Sequence, residues 1–156
     1  MKSTVSILNN ELDLGLMINS YSEVGFRLNN DFTILGPVIL FPRSALSWNV
    51  GSINDITEES LSLFTVLEPK IDLLVLGTGD KIEDTSFHKK IFPFLKKHKI
   101  NLEILPTDQA CSTFNFLNSE GRYIAAALIP PTKFTPTDHE VFDTKQRYQN
   151  IYEVQD

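Results

Sequence analysis

The stretch IDLLVLGTGD, residues 71–80, runs an apolar strand pattern into a Gly-x-Gly turn. Backbone amides at such a strand end can meet a nucleotide phosphate. A dinucleotide site also needs a third glycine, so that helix and strand pack closely, and Ile82 stands at that position. A P-loop needs G-x-x-x-x-G-K-[ST], which the chain lacks. The following Asp80, Glu83 and Asp84 are the wrong sign for phosphate. The turn therefore reads as a structural turn or a partner-facing loop. A small-ligand cleft at Gly77–Asp80 is the alternative, because α/β proteins place ligands at the carboxyl ends of parallel strands.

Other reactive side chains are scattered. His88 and His98 lie ten residues apart, too far for a single metal on one helix, and His139 is remote from both. No HExxH motif or Cys-His cluster is present, and no G-x-S-x-G elbow. The single cysteine, Cys111, has apolar helix neighbours in Ala110 and Phe114 and reads as a buried core thiol. Asp55, Glu58 and Glu59 resemble paired carboxylates, but helix capping explains them more simply. Two residues ask for more. Trp48, in SWNVGS, has small polar neighbours that suit an exposed contact. Asn115, in STFNF, is a modest helix former on a helix, which points to a buried hydrogen bond or an interface.

The elements that must position these residues follow from the patterning. The 156 residues suit one domain, and a net charge of −6 argues against a nucleic-acid binder. No apolar run reaches the ~20 residues of a membrane span. Asn29 to Asp31 is a turn signal inside a β-hairpin whose second strand, Phe32 to Leu40, is broken at Gly36-Pro37. Alternation over residues 45–50 predicts a strand, and INDITEESLSLFTVLEP a helix capped at Asp55, with Thr57-x-x-Ser60 as the alternative. A strand over 71–76, a helix over 84–98, a strand over 100–105, a helix from Thr107 or Asp108 to Gly121 and a strand over 122–130 complete the domain. Residues 1–22 are expected to be a loosely ordered lead, 23–131 the domain, and 132–156 a polar tail with a helical spacing at Val141, Tyr148 and Tyr152.

The blocks GFRLNNDFTILGPVILFP, SWNVGSINDITEESLSLF, EPKIDLLVLGTGD and ACSTFNFLNSEGRYIAAALIPP occur in one order over about residues 21–131. Together they resemble the mitochondrial complex I assembly factor 3 family, within the Mth938-like domains. The resemblance implies an α/β fold: a single three-layer domain with a mixed central sheet flanked by helices and an N-terminal antiparallel β-hairpin. It implies a non-enzymatic role, without cofactor or metal, in building the respiratory NADH:ubiquinone oxidoreductase. The partners it implies are complex I assembly factor 4 and the quinone-arm subunits. The place is the mitochondrial matrix, peripheral to the inner membrane, although no presequence is evident in this chain.

The matching residues include Trp48, Asn49, Asp55, Gly77, Thr78, Gly79, Thr113, Asn115, Gly121 and Arg122. All of these except Gly121 become candidates for partner binding, with Thr78, Thr113, Asn115 and Arg122 expected to share a groove at the strand ends. Two alternatives stay open beside this reading. One is a ligand-binding protein or enzyme using the Gly77–Asp80 cleft, and the other a cytosolic regulatory domain of the same fold. The chain departs from the family at the tail after Pro131 and at Pro93, which interrupts a helix.

Overall fold

The computed structural model describes residues 15–80 and 86–132. The expected helical spacing at Val141, Tyr148 and Tyr152 and the polar tail from 133 onward lie outside these residues. The first strand, β1 (Ile18–Ser22), pairs antiparallel with β2 (Gly25–Leu28), and β2 with β3 (Thr33–Leu35). The segment expected to be a loose lead therefore ends in a strand. Leu16, Ile18 and Tyr21 are buried, and burial of this kind brings an irregular apolar sequence into a sheet without clear alternation.

The turn at Asn29 to Asp31 is where the sequence places it. Asp31 takes the left-handed conformation at φ 70°, which aspartate tolerates, and the Asn30 side chain accepts from the Phe32 amide at 3.1 Å. The arm expected as one broken strand instead becomes two strands in different sheets. Gly36, at φ 80°, turns the chain out of the three-stranded sheet. Past Pro37 it enters β4 (Val38–Leu40), which pairs antiparallel with β5 (Ala45–Ser47).

These two strands edge a five-stranded sheet of order β5-β4-β8-β6-β7. Its other members are β6 (Leu73–Gly77), β7 (Asn101–Leu105) and β8 (Ile124–Leu128). β6 runs parallel to both β7 and β8, while β4 runs antiparallel to β8. The parallel half follows from βα units, which return each strand in the same direction. The crossover helices are α1 (Ser86–Lys97) and α2 (Thr107–Ser119). Gly121, at φ 81°, ends α2: its amide donates to the Asn118 carbonyl and the Arg122 amide to that of Leu117, a Schellman arrangement.

The stretch expected to form the first helix is not α-helical. It forms a 3-10 turn at Ile53–Asp55 and a 3-10 helix at Glu59–Thr65. The hydroxyls of Ser60, Ser62 and Thr65 each donate to the carbonyl three residues back, at 2.7–2.8 Å. Such bonds compete with the α-helical ladder, so a run of Ser and Thr favours the tighter winding. The capping pairs are Ser52 with Asp55, and Thr57 with Ser60, whose hydroxyls accept from each other's amides at 2.9 and 3.2 Å.

Two cores flank the five-stranded sheet. On one face Val38, Leu40, Val75, Ala126 and Leu128 pack against α2 and the three-stranded sheet. On the other, Ile39, Leu74, Leu76, Ala125 and Ala127 pack against α1, the 3-10 helix and Trp48. Burying both faces makes LLVL and IAAAL continuous apolar runs rather than alternating ones. The result is a mixed-sheet, three-layer α/β domain with an antiparallel N-terminal unit.

Gly77 lets the start of α2 pack close against the sheet. A Cβ there would lie 2.8 Å from Leu128 Cδ2, 3.0 Å from Thr107 Oγ1 and 3.1 Å from Ala110 Cβ. Gly77→Ala is expected to lower stability by about 1–3 kcal/mol through overpacking. A lower denaturant midpoint at unchanged m-value is the reading that checks it.

Candidate functional site

The described part of the turn after β6, Thr78 to Asp80, is held by bonds to neighbouring elements. The Thr78 amide donates to the Leu105 carbonyl at 3.0 Å, and the Gly79 amide to Thr107 Oγ1 at 2.6 Å. Thr107 Oγ1 in turn donates to the Ile129 carbonyl at 2.6 Å, and the Thr107 amide to the Gly79 carbonyl at 3.0 Å. One fully buried hydroxyl thus ties together the ends of β6, α2 and β8. Thr107 is not the helix cap that the sequence suggests: Pro106 takes the cap position, and no side chain caps α2. Gly79 sits at φ 87° with the Pro130 carbonyl 3.1 Å from where a Cβ would be, so close approach and backbone conformation both require glycine. The Thr78 hydroxyl bonds the Asp80 carbonyl at 3.0 Å, and the Asp80 carboxylate accepts from the Thr132 amide at 3.0 Å and from the Thr132 hydroxyl. The amides of Thr78 and Gly79 are thus committed to the protein itself.

Asn115 is the buried hydrogen bonder that its sequence context suggests. Its Oδ1 accepts from the Ile18 amide at 2.8 Å and its Nδ2 donates to the Ile18 carbonyl at 3.0 Å. One turn further along α2, Asn118 Nδ2 donates to the carbonyls of Leu16 at 2.9 Å and Pro42 at 3.0 Å. Sequence reasoning passed over Asn118 and the Asp80–Thr132 pair. The spacing Asn115-x-x-Asn118 beside Ala110 and Phe114 is the signal that could have found the former, because it puts both amides on the inward face.

The nine candidate positions do not converge. Trp48, expected to be exposed, is only 5% exposed: its ring belongs to the core on the α1 face, and its Nε1 donates to the Ser60 carbonyl at 3.1 Å. Asp55 Oδ2 accepts from the amides of Gly51 and Ser52 at 2.9 and 3.2 Å, which holds the 3-10 turn. Asn115 works in the core on the opposite face of the sheet, and Thr113 is half-buried on the same helix. Arg122 is exposed and lies two residues before Ile124, which pairs with Leu73 at the amino end of β6. Gly77 to Gly79 lie at the carboxyl end, four strand steps away, or more than about 13 Å. The expected groove of Thr78, Thr113, Asn115 and Arg122 is therefore not formed. Parallel pairing puts the start of β8 and the end of β6 at opposite edges of the sheet. Asn49, Asp55 and Arg122 are the exposed candidates, and Thr113 is partly so.

Cys111 is fully buried in α2, where burial, and secondarily the charge of Asp108, push its thiol pKa well up. A pKa raised on folding stabilises the folded state below the unfolded thiol's pKa and loses that contribution as pH rises past it. Stability is expected to fall in alkali, above about pH 8.5. A thiol-specific reagent is expected to label Cys111 in denaturant and not in the native protein. Asn115→Ala, which orphans the Ile18 amide and carbonyl, is expected to cost at least about 2 kcal/mol. Hydrogen exchange is expected to quicken at Ile18 ahead of the amides of β6.

A family described as "Protein of unknown function (DUF498/DUF598)" matches residues 18–129. The Drosophila melanogaster protein "NADH dehydrogenase [ubiquinone] 1 alpha subcomplex assembly factor 3" is 53% identical over 154 residues, covering 99% of this chain and 79% of the fly protein. The Danio rerio protein of the same name is 51% identical over 130 residues, covering 83% of this chain and 73% of its own length. The solution structure of a Mth938-like domain from Bordetella pertussis superposes with a TM-score of 0.59 at 21% identity, covering 81% of this chain and 92% of that one, which fixes the fold. With that fold, and identity of this extent along nearly its whole length, the chain belongs to the NADH dehydrogenase [ubiquinone] 1 alpha subcomplex assembly factor 3 family.

Proposed function

We propose that this chain is a non-enzymatic assembly factor for mitochondrial respiratory complex I, working by protein–protein contact. The observation that carries this reading is 53% identity over 99% of the chain to a relative named for that role. The site geometry is in keeping with it. The strand-end turn spends its amides on Thr107 and Leu105, and the one cysteine is buried. No helix among the described residues is long and apolar enough to cross a membrane.

In finer detail, the chain acts early, with complex I assembly factor 4, on the subunits of the quinone-binding arm. It does so in the matrix, peripheral to the inner membrane. Partner contact falls to Asn49, Asp55 and Arg122 among the candidate positions, because these reach solvent while Trp48 and Asn115 are committed to the core.

Affinity purification of the tagged chain from mitochondria is expected to recover assembly factor 4 and quinone-arm subunits. Cells lacking the chain are expected to lose assembled complex I on native gels, with rescue by the intact chain. Normal complex I in such cells would overturn the reading. Asn49→Ala combined with Arg122→Glu is expected to melt as the parent does and to weaken recovery of assembly factor 4 by about tenfold or more, the scale of an interface hot spot. Undiminished recovery would remove those two residues from the interface.

A further inference from the structure

Helix α1 carries a charge asymmetry that the fold does not need. Five of the chain's 14 Lys and Arg residues, Lys89, Lys90, Lys96, Lys97 and Lys99, lie within eleven positions, although the net charge is −6. No Asp or Glu occurs from 86 to 102. All five lysines are exposed, as are Phe92, at 49%, and Pro93, while Ile91 and Leu95 anchor the opposite side of the helix in the core. Positions three and four apart share a helix face. Lys89 and Lys90 therefore stand one turn before Phe92 and Pro93, and Lys96 and Lys97 one turn after. The exposed face is an apolar apex ringed by four cations. The helix dipole accounts for Lys96 and Lys97 at the C-terminal end, but gives no reason for Lys89 and Lys90, the fourth and fifth residues of the helix.

We propose that this face of α1 docks on an anionic phospholipid bilayer, with Phe92 entering the headgroup boundary and the lysines meeting lipid phosphates. The cation chemistry favours lipid over an acidic protein. Every cation on the face is lysine. Protein interfaces are depleted in lysine and use the planar fork of arginine to fix carboxylates. A hydrated ammonium on a flexible stem suits mobile headgroups, and its methylenes lie along apolar surface. Clusters of four to eight basic residues on an amphipathic helix are the recurring form of anionic-lipid recognition. The net negative charge of the remaining surface turns this face toward such a membrane and the others away from it. Glu103 flanks Phe92 on one side, in a shallow cleft of about 250 Å³ with His88, Leu102 and Ile104.

The inference deepens the peripheral placement proposed above and rests on it only for which membrane is met. The test uses purified full chain and vesicles without complex I, so its failure would leave the assembly reading standing. The chain is expected to co-sediment with phosphatidylcholine vesicles containing phosphatidylglycerol and not with pure phosphatidylcholine. Binding is expected to fall steeply with salt, as exposed charges are screened. Lys89→Glu with Lys90→Glu is expected to lower binding by at least about 25-fold, at about fivefold per lysine. Lys96→Gln with Lys97→Gln, which spares the helix from new charge, is expected to act in the same direction. Phe92→Ser is expected to weaken binding severalfold without altering its salt dependence. Circular dichroism confirms folding of each variant. The proposal is overturned by absence of binding to the anionic vesicles, by equal binding to the neutral ones, or by variants that are folded and bind undiminished. It is also overturned if Lys89→Glu with Lys90→Glu loses an acidic protein from mitochondrial extract while the parent ignores vesicles.

Discussion

The assembly of this domain depends on how one strand edge is satisfied. β1 pairs with β2 on one side only, and at Ile18 its backbone amide and carbonyl point into the core. A buried backbone amide or carbonyl without a partner costs about as much as a lost hydrogen bond. The carboxamide of Asn115 presents one donor and one acceptor in the arrangement of a neighbouring strand. Asn118 adds donors only, its Nδ2 bonding the carbonyls of Leu16 and Pro42. Helix α2 thereby substitutes for the strand that the three-stranded sheet lacks, and the two sheets share one core.

That role constrains what lies beneath α2. A helix that must reach β1 with its asparagines on one side has to seat deeply on the five-stranded sheet with the other. Gly77 and Ala126 of β8 provide the depth, since neither projects a side chain beyond Cβ. Thr107 fixes the start of the helix at the same level, through bonds to Gly79 and Ile129. The Gly-x-Gly turn is therefore an anchorage for α2. Its glycines are needed for close approach and backbone conformation, the same properties that make such turns good phosphate cradles elsewhere.

With the α2 face closed over by the three-stranded sheet, the outward features gather on other elements. Trp48 and the 3-10 helix seal the opposite core, and Asn49 and Arg122 sit on the surface at separate places. The charge of the molecule is segregated, with its lysines concentrated on α1. The polar interior joins elements: Asn115 and Asn118 tie α2 to the start of the chain's first sheet, and Thr107 ties it to the ends of β6 and β8.

The sequence by itself determined the elements whose physics is local. The hairpin turn at Asn29 to Asp31, the buried runs of β6 and β8, both α-helices and the burial of Cys111 follow from turn chemistry, hydrophobic period and composition. The 3-10 winding at Glu59–Thr65 was only partly legible, because an i to i−3 hydroxyl bond depends on rotamers that an apolar pattern does not report. Asn115 announced itself as a polar residue in an apolar helix face, yet its partner lies 97 residues away, and nothing near it in the chain names Ile18. The tertiary structure alone decided that Gly36 sends β4 into a second sheet, that Trp48 turns inward, and that Arg122 and Gly77 stand at opposite ends of the sheet. Each of these is set by long-range strand pairing and burial. Register and layer are collective properties of the packed chain, whereas turn and period are properties of a few neighbouring residues.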